Sequence, residues 1–324
     1  MSHILVTGAN GQIGSELVEV LRDRHDPSQV VRLDLQPPPA PNGRPPDAPF
    51  EVADVRDREV LVEAVTHHEI DTVYHLASLL SAVGEQHPDR AWDVNMGGLK
   101  NVLDVARAHD LKVFWPSSIA VFGPDTPEVE TPQRTVLDPS TMYGVTKRSG
   151  ELLCRYYHHR YGTDVRSLRY PGLVSYKTAP GGGTTDYAVD MLTAAAEGTD
   201  YTCFLKRDAR LPMMYMPDAI RATLDLMAAD GAALSVREGY NIGALSYSPE
   251  ELAAAIRRHV PEFSCAYEPD ERQQIADAWP SSVDDQAARE DWDWTPEYDL
   301  GAMTEDMLSH LQAGETTNQE AEPS

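Results

Sequence analysis

The chain is poor in lysine and rich in acidic residues. Only five lysines occur among 324 residues, so arginine supplies most of the positive charge, and the formal net charge is −25. This sign of charge excludes the basic surface that nucleic-acid binding requires. Acid-rich, lysine-poor surfaces resemble those of proteins from salt-loving organisms, where salt screens the self-repulsion of the compact state. The composition therefore predicts a halophilic protein, with an ordinary acidic cytoplasmic enzyme as the alternative.

Cysteine and long apolar segments are also scarce. Cys154, Cys203 and Cys265 lie far apart, without the spacing of a metal site or the even count of a disulfide framework. They favour a reducing, cytoplasmic setting. No apolar run reaches the roughly 18 residues of a membrane span. A strand-like run begins at His3, so we expect no signal peptide before it.

The first half of the sequence alternates between strand and helix patterns. Apolar residues recur at helical spacing between short β-rich runs, which is typical of a parallel sheet with helices on both faces. The predicted fold is an α/β, doubly wound parallel sheet of the Rossmann type. The predicted strands are residues 3–7, 30–33, 50–52, 72–76, 112–115 and 165–170, and the predicted helices are 12–24, 56–67, 89–109 and 143–161.

The pattern loosens after Pro171, which predicts a smaller C-terminal substrate lobe. We expect residues 1–171, with about 217–243, to form a dinucleotide-binding domain. Residues 172–216 and 244–312 would form the lobe, and the polar residues 313–324 a disordered tail.

A glycine loop joins the first predicted strand to the first predicted helix. Its spacing is Gly8-x-x-Gly11-x-x-Gly14. Glycines at such a turn let the backbone approach a pyrophosphate, whose charge the helix N-terminus stabilises. The context favours a dinucleotide site over a simple tight turn. The expected contacts of the loop are Gly8, Asn10, Gly11, Gln12, Ile13 and Gly14.

Asp34 closes the second predicted strand, twenty residues after Gly14. A carboxylate there accepts hydrogen bonds from a ribose 2′-hydroxyl and repels a 2′-phosphate, which predicts NAD over NADP. A helix cap or turn residue is the structural alternative. Arg32 lies two residues before Asp34, so both side chains would lie on the same face of the strand. A role for Arg32 in binding a 2′-phosphate therefore stays open. Further expected cofactor contacts, mostly at strand ends, are Leu35, Asp54, Val55, Leu76, Ala77, Ser78, Asn95, Tyr170 and Pro171.

Tyr143 and Lys147 are four residues apart on a predicted helix. This spacing puts both on one face, where the ammonium can lower the pKa of the phenol. Tyr143 can then take a proton from an alcohol as Lys147 stabilises its phenolate and contacts the nicotinamide ribose. The pair is common by chance, but here it follows a glycine loop. Ser117 and Ser118, after the fifth strand, supply a hydroxyl for the same substrate oxygen.

Together these motifs resemble the extended short-chain dehydrogenase/reductases over residues 3–312. In that family a serine 25 residues before the tyrosine joins it in catalysis, which here implies Ser118. Residues 139–147, 166–172, 180–190 and 211–218 further resemble the short-chain type of L-threonine 3-dehydrogenases. The resemblance implies NAD-dependent oxidation of the L-threonine β-hydroxyl to 2-amino-3-ketobutyrate, a step of threonine catabolism. It also implies a homodimer through helices near 89–109 and 143–161.

The glycine run before Thr185 predicts a loop that closes over a small substrate, with a flexible linker as the alternative. No lysine or arginine lies between Thr178 and Tyr201, which favours a small substrate over a diphosphate. The expected substrate contacts are Ser81, Ser118, Tyr143, Gly183 and Thr185. No metal is expected, because the phenolate activates the alcohol. The alternatives are an NAD-dependent sugar-nucleotide epimerase or dehydratase of the same fold, and a non-catalytic NAD-binding regulator.

Overall fold

The computed structural model describes residues 2–37, 48–178, 181 and 183–314, without the side chain of Ala82. The chain divides into two compact units. The first holds the described residues of Met1–Ser117, Thr141–Leu168 and Leu226–Tyr240. The second holds those of Ser118–Ser140, Arg169–Asp225 and Asn241–Ser324.

A six-stranded parallel sheet forms the centre of the first unit. Its strands are β1 (Ile4–Thr7), β2 (Val30–Asp34), β3 (Phe50–Val52), β4 (Thr72–His75), β5 (Lys112–Phe114) and β6 (Val165–Arg166), in the order β3-β2-β1-β4-β5-β6. Ile4 pairs with Val30 on one side and with Thr72 on the other. The strand order reverses between β1 and β4, and open α/β sheets bind ligands at the carboxyl ends beside such a switch point. The predicted fold class is confirmed.

Four longer helices belong to the first unit: α1 (Gln12–Arg24), α2 (Arg58–His67), α3 (Gly98–His109) and α4 (Met142–Tyr161). Their ends follow local chemistry. The Asp57 carboxylate accepts from the amide of Glu59 at 3.0 Å and caps α2. The Thr141 hydroxyl caps α4 by accepting from the amide of Gly144 at 3.1 Å, and α4 ends at Gly162, whose φ of 76° is left-handed.

The single helix predicted over residues 89–109 is interrupted. A helix over Pro88–Trp92 passes into a π-helical turn, Asp93–Gly97, before α3 begins. A further helix spans Ser81–Gln86. Such π turns are rare and often mark functional positions, and this one contains Asn95. The predicted strand 165–170 also divides, into β6 and Leu168–Tyr170.

The second unit is built around a three-stranded sheet. Leu211–Tyr215 pairs in parallel with Gly172–Val174 and antiparallel with Leu245–Tyr247, and Tyr201–Cys203 pairs in parallel with Cys265–Tyr267. The core includes the fully buried Tyr187, Tyr247 and Met303. The helices that lie in this unit or reach into it are Tyr187–Ala196, Met216–Ala228, Pro249–Ile256, Arg272–Ala276, Gln286–Trp292 and Leu300–Gln312.

Short elements complete the described chain. The strands Ser117–Ser118, Leu168–Tyr170 and Tyr240–Asn241 lie where the chain passes from one unit to the other. Two 3₁₀ turns span Pro27–Gln29 and Ile119–Val121. No helix within the described ranges has both the length and the apolar character of a membrane-spanning segment.

The compact units group four segments differently from the predicted domains. Residues 118–140, 169–171, 217–225 and 241–243 fall in the second unit, whereas the sequence assigned all four to the dinucleotide-binding domain. The assignment of cofactor and substrate roles to the two parts stays a prediction. The predicted disordered tail lies outside the described residues beyond Gly314.

Candidate active site

The glycine loop between β1 and α1 packs tightly against the segment that follows β4. Gly8 has a left-handed φ of 67°, and a Cβ there would stand 2.6 Å from the amide nitrogen of Ala77. A Cβ on Gly14 would stand 2.2 Å from the carbonyl oxygen of Gly8. Both positions therefore require glycine, and the bare backbone leaves a cradle beside the start of α1 that fits a pyrophosphate.

A cleft of about 350 Å³ opens at this cradle, within the roughly 300–1,000 Å³ range of ligand pockets. It brings together ten of the predicted cofactor residues: Gly8, Asn10, Gly11, Asp34, Leu35, Asp54, Val55, Leu76, Ala77 and Ser78. Six lining residues were not predicted: Leu33, Ala53, Arg56, Leu79, Arg90 and Val94. Gln12, Ile13, Gly14 and Asn95 do not line this cleft, and Tyr170 and Pro171 belong to the second unit.

Asp34 reaches the cleft from the end of β2. One carboxylate oxygen accepts from the amide of Asn10 at 2.9 Å and the other from that of Leu35 at 2.7 Å. The Arg32 guanidinium donates to the Asn10 side chain and lies 5.7 Å from the centre of the Phe50 ring. Arg32 is not a lining residue of the cleft, whereas Asp34 is.

Asp54 and Arg56 form an ion pair at the same cleft. The guanidinium contacts the carboxylate at 2.6, 3.0 and 3.1 Å, and hydrogen bonding to Arg56 lowers the pKa of Asp54. The sequence analysis found Asp54 but missed its partner. The sequence feature that could have indicated this ion pair is an arginine two residues after a carboxylate at a strand end.

Asn95 ties the loop after β4 to helix α4. Its side-chain oxygen accepts from the Leu79 amide at 2.7 Å and the Ser78 hydroxyl at 3.1 Å. Its amide nitrogen donates to the Leu79 carbonyl and the Thr146 hydroxyl, both at 3.1 Å. Through these four bonds Asn95 connects Ser78 and Leu79, which line the cleft, to the turn of α4 between Tyr143 and Lys147.

Lys147 is 2% exposed and lies on helix α4 with Tyr143, as the sequence predicted. Its ammonium donates to the carbonyl of Pro116 at 2.8 Å and lies 5.3 Å from the centre of the Tyr143 ring. Burial lowers the pKa of Lys147 to about 7. Tyr143 is half-buried. The arrangement sets a buried cation beside a partly accessible phenol, which favours the phenolate electrostatically.

His75 ends β4 and was missed by the sequence analysis. It is 1% exposed, and its Nδ1 lies 2.7 Å from the Thr7 hydroxyl, directly before the glycine loop. Burial, with a smaller effect of the Lys147 ammonium, lowers the pKa of His75 to about 3. The imidazole is therefore neutral at physiological pH and links β4 to the cofactor loop.

The predicted substrate residues are divided between the units. Ser81 begins a helix in the first unit, with Tyr143 and Lys147, whereas Ser118, Gly183 and Thr185 belong to the second. The Ser118 hydroxyl accepts from the amide of Ala120 at 3.2 Å. The Gly183 amide donates to Asp186 at 2.6 Å. Of the predicted closing loop, Pro180 and Gly182 lie outside the described residues.

Known proteins that are similar to this chain identify its family. The family model of the NAD-dependent epimerase/dehydratase family matches residues 4–243. A relative from Staphylococcus haemolyticus, described as an uncharacterized epimerase/dehydratase, is 47% identical over 320 residues, covering 97% of this chain and 99% of its own.

Two solved structures are similar over nearly their full length. The holo form of the GalE-like L-threonine dehydrogenase from Cupriavidus necator is 54% identical, with a TM-score of 0.91, covering 95% of this chain and 99% of its own. A monomeric L-threonine 3-dehydrogenase from a metagenome, in its apo form, is 49% identical, with a TM-score of 0.91, covering 96% and 99%. The chain therefore belongs to the NAD-dependent epimerase/dehydratase family, and its cofactor is NAD.

Proposed function

We propose that the protein is an NAD-dependent L-threonine 3-dehydrogenase. It would oxidise the β-hydroxyl of L-threonine to give 2-amino-3-ketobutyrate and NADH. The observation that carries the proposal is the buried Lys147 ammonium beside the ring of Tyr143, in the unit that also holds the cofactor cleft. The choice of substrate is supported by two similar structures described as L-threonine dehydrogenases, at 54% and 49% identity.

Tyr143 is the proposed general base. A free phenol has a pKa near 10, so base catalysis near neutrality requires a lower value. The Lys147 ammonium favours the phenolate because opposite charges attract strongly where water is excluded. The phenolate removes the hydroxyl proton of the substrate, and Ser118 orients the oxygen that loses it. When bound, NAD supplies the hydride acceptor for the Cβ–H bond that breaks as the ketone forms.

The cleft residues hold the cofactor. The backbone at Gly8 and Gly11 would approach the pyrophosphate, and the start of α1 would stabilise its charge. Asp34 would accept from the adenosine ribose and exclude a 2′-phosphate. Ser81, Gly183 and Thr185 are the proposed contacts of the amino-acid substrate.

A second function is NAD-dependent epimerisation or dehydration of a sugar nucleotide. The description of the Staphylococcus haemolyticus relative as an uncharacterized epimerase/dehydratase favours this class of reaction. The two activities differ in their products. L-Threonine oxidation releases NADH, which absorbs at 340 nm, whereas epimerisation regenerates NAD within each turnover.

The assay supplies NAD with L-threonine, D-threonine or UDP-glucose in separate reactions. The proposal expects NADH and an aminoketone from L-threonine alone. Conversion of UDP-glucose without activity on L-threonine would favour the second function. Tight NAD binding without turnover of either substrate would favour a regulator.

We also propose that the protein is a cytoplasmic, halophilic homodimer. Exposed apolar side chains along α4 support an interface there: Val145 is 37% exposed, Leu152 40%, Tyr156 51% and Tyr161 37%. A similar solved structure is described as monomeric, so the mass in solution decides. Light scattering at high and low salt should give twice the chain mass, and a monomer at both salt concentrations would contradict the dimer.

A further inference from the structure

Two consecutive residues after the end of β5 contact the Lys147 ammonium. The carbonyl of Pro116 accepts its hydrogen bond at 2.8 Å, and the centre of the Trp115 ring lies 4.8 Å from Nζ. Trp115 is only 3% exposed. A cation within about 6 Å of an indole face is attracted by the negative face of the ring, most strongly where water is excluded.

Gly150 makes room for this indole. It lies on α4, three residues beyond Lys147, and a Cβ there would stand 2.4 Å from Cη2 and 2.5 Å from Cζ2 of Trp115. Real side chains do not approach that closely, so any other residue would displace the ring or the helix. The glycine and the tryptophan therefore form a matched pair beside the ammonium.

Other titratable groups described near Lys147 lie on its own helix and on β4. On its own helix, Tyr143 is the group it acts on, and burial raises the pKa of the Cys154 thiol, which stays protonated. From β4, His75 is neutral. Glu151, one turn along α4, is bonded to Ser117 at 2.7 Å and Arg148 at 3.2 Å.

We propose that Trp115 is a positioning residue for the catalytic pair. Its indole face holds the Lys147 ammonium by a cation–π contact, so that the charge stays directed at Tyr143. Gly150 allows the ring to lie against α4. The contact between Trp115 and Lys147 does not depend on the proposed function, whereas the effect of this contact on catalysis rests on that function.

The first test follows the charge of Lys147 without any substrate. Lysine labelled with ¹³C at Cε gives five signals in this chain, and Lys147→Met assigns the one that matters. Full-length wild type, Trp115→Phe and Trp115→Leu are titrated by NMR. Leucine keeps the site apolar but removes the aromatic face, so the proposal expects its Lys147 midpoint about 0.5–1 pH unit below the wild-type value.

Phenylalanine retains an aromatic face and should restore most of the midpoint. If leucine raises the midpoint, or if leucine and phenylalanine both leave it at the wild-type value, the proposal is overturned. Gly150→Ala covers the case in which Trp115→Leu does not fold. Its added methyl pushes the ring from the ammonium, so the midpoint should again fall, and an unchanged midpoint in a folded protein contradicts the proposal.

The second test reads catalysis. With L-threonine as substrate, a weaker Lys147 charge raises the pKa of Tyr143. The acidic limb of the kcat profile, along which Tyr143 loses its proton, should therefore move to higher pH in Trp115→Leu. Trp115→Phe should stay close to wild type, and calorimetry should give similar NAD affinities. A lower kcat with an unmoved limb would contradict positioning. If wild type does not turn over L-threonine but the NMR shifts occur, the proposed function fails and the contact stands.

Discussion

At the scale of single residues, the proposed site depends on the Lys147 ammonium, whose charged form is disfavoured by burial. Lys147 is almost fully buried, and its pKa falls to about 7 from an unfolded value of 10.5. Between these two values the unfolded chain binds more protons than the folded chain, so stability rises with pH through that window. Below about pH 7 the folded protein carries the full cost of the buried charge.

We therefore expect Lys147→Met to abolish activity and stabilise the fold. The gain in the free energy of unfolding should be on the order of 1–3 kcal/mol at pH 6 and smaller at pH 9, because wild-type Lys147 is then neutral when folded. Urea unfolding at the two pH values measures it. Lys206→Met, at an exposed lysine, is the control, and a destabilised Lys147→Met at pH 6 would show that the ammonium stabilises the fold.

Asp34 is the residue that we propose to select NAD over NADP. Removing its carboxylate in Asp34→Ala should weaken NAD binding roughly 10-fold and reduce the preference over NADP, because one charge-assisted bond and one repulsion are lost. Calorimetric titration with both cofactors measures the ratio. Asp23→Ala removes an exposed carboxylate from α1 and should change neither affinity. An unchanged NAD/NADP ratio in Asp34→Ala would argue against this role.

At the scale of elements, the π-helical turn before α3 links two other segments through Asn95. Asn95 lies in that turn and bonds the loop after β4 and Thr146 on α4. The Asn95 side chain therefore connects the helix that carries Tyr143 and Lys147 to the loop after β4.

Asn95→Ala should lower kcat about 10-fold or more and destabilise the fold by about 1–3 kcal/mol, since buried partners lose their bonds. Asn95→Asp keeps the acceptor bonds and loses the donor bonds, so it should fall between alanine and wild type. Steady-state kinetics and urea unfolding measure both effects. Wild-type kcat in Asn95→Ala would show that α4 holds its position without this link.

Elements that are marked by residues close together in the sequence were predicted correctly, whereas features that depend on distant contacts were missed. The start of α1 at Gln12 and its end at Arg24 agree with the prediction, because a glycine loop and helical periodicity mark them. The interruption at Asp93–Gly97 left no periodic signal. His75 and Trp115 were missed as site residues because their contacts, with Thr7 and Lys147, join segments far apart in the chain. Arg56 was missed although its partner Asp54 lies only two residues before it.

At the scale of the whole molecule, the net charge of −25 sets the response to salt. Exposed ion pairs such as Lys206–Asp277, at 3.1 Å, lose strength when salt screens them. The excess of acids over bases has the opposite effect, since screening reduces its self-repulsion. The larger of these effects is the general repulsion, because exposed pairs each contribute only about 0–1 kcal/mol.

We expect the thermal midpoint to rise by several degrees between about 0.1 and 2 M KCl. Differential scanning calorimetry measures it. Sucrose at matched osmolality is the control, because it stabilises folded proteins without screening charge. A midpoint that falls with KCl, or that rises equally with sucrose, would contradict the electrostatic explanation.

The proposal that Tyr143 is the general base for L-threonine oxidation can be tested by one measurement. It is the rate of L-threonine-dependent NADH formation in wild type, Tyr143→Phe and Tyr156→Phe. Each variant removes one phenol oxygen from α4, and Tyr156 is 51% exposed. We expect a loss of roughly 10³-fold or more in kcat for Tyr143→Phe, with NAD binding retained, and little change for Tyr156→Phe. NADH formation in Tyr143→Phe at the wild-type rate would contradict the proposal.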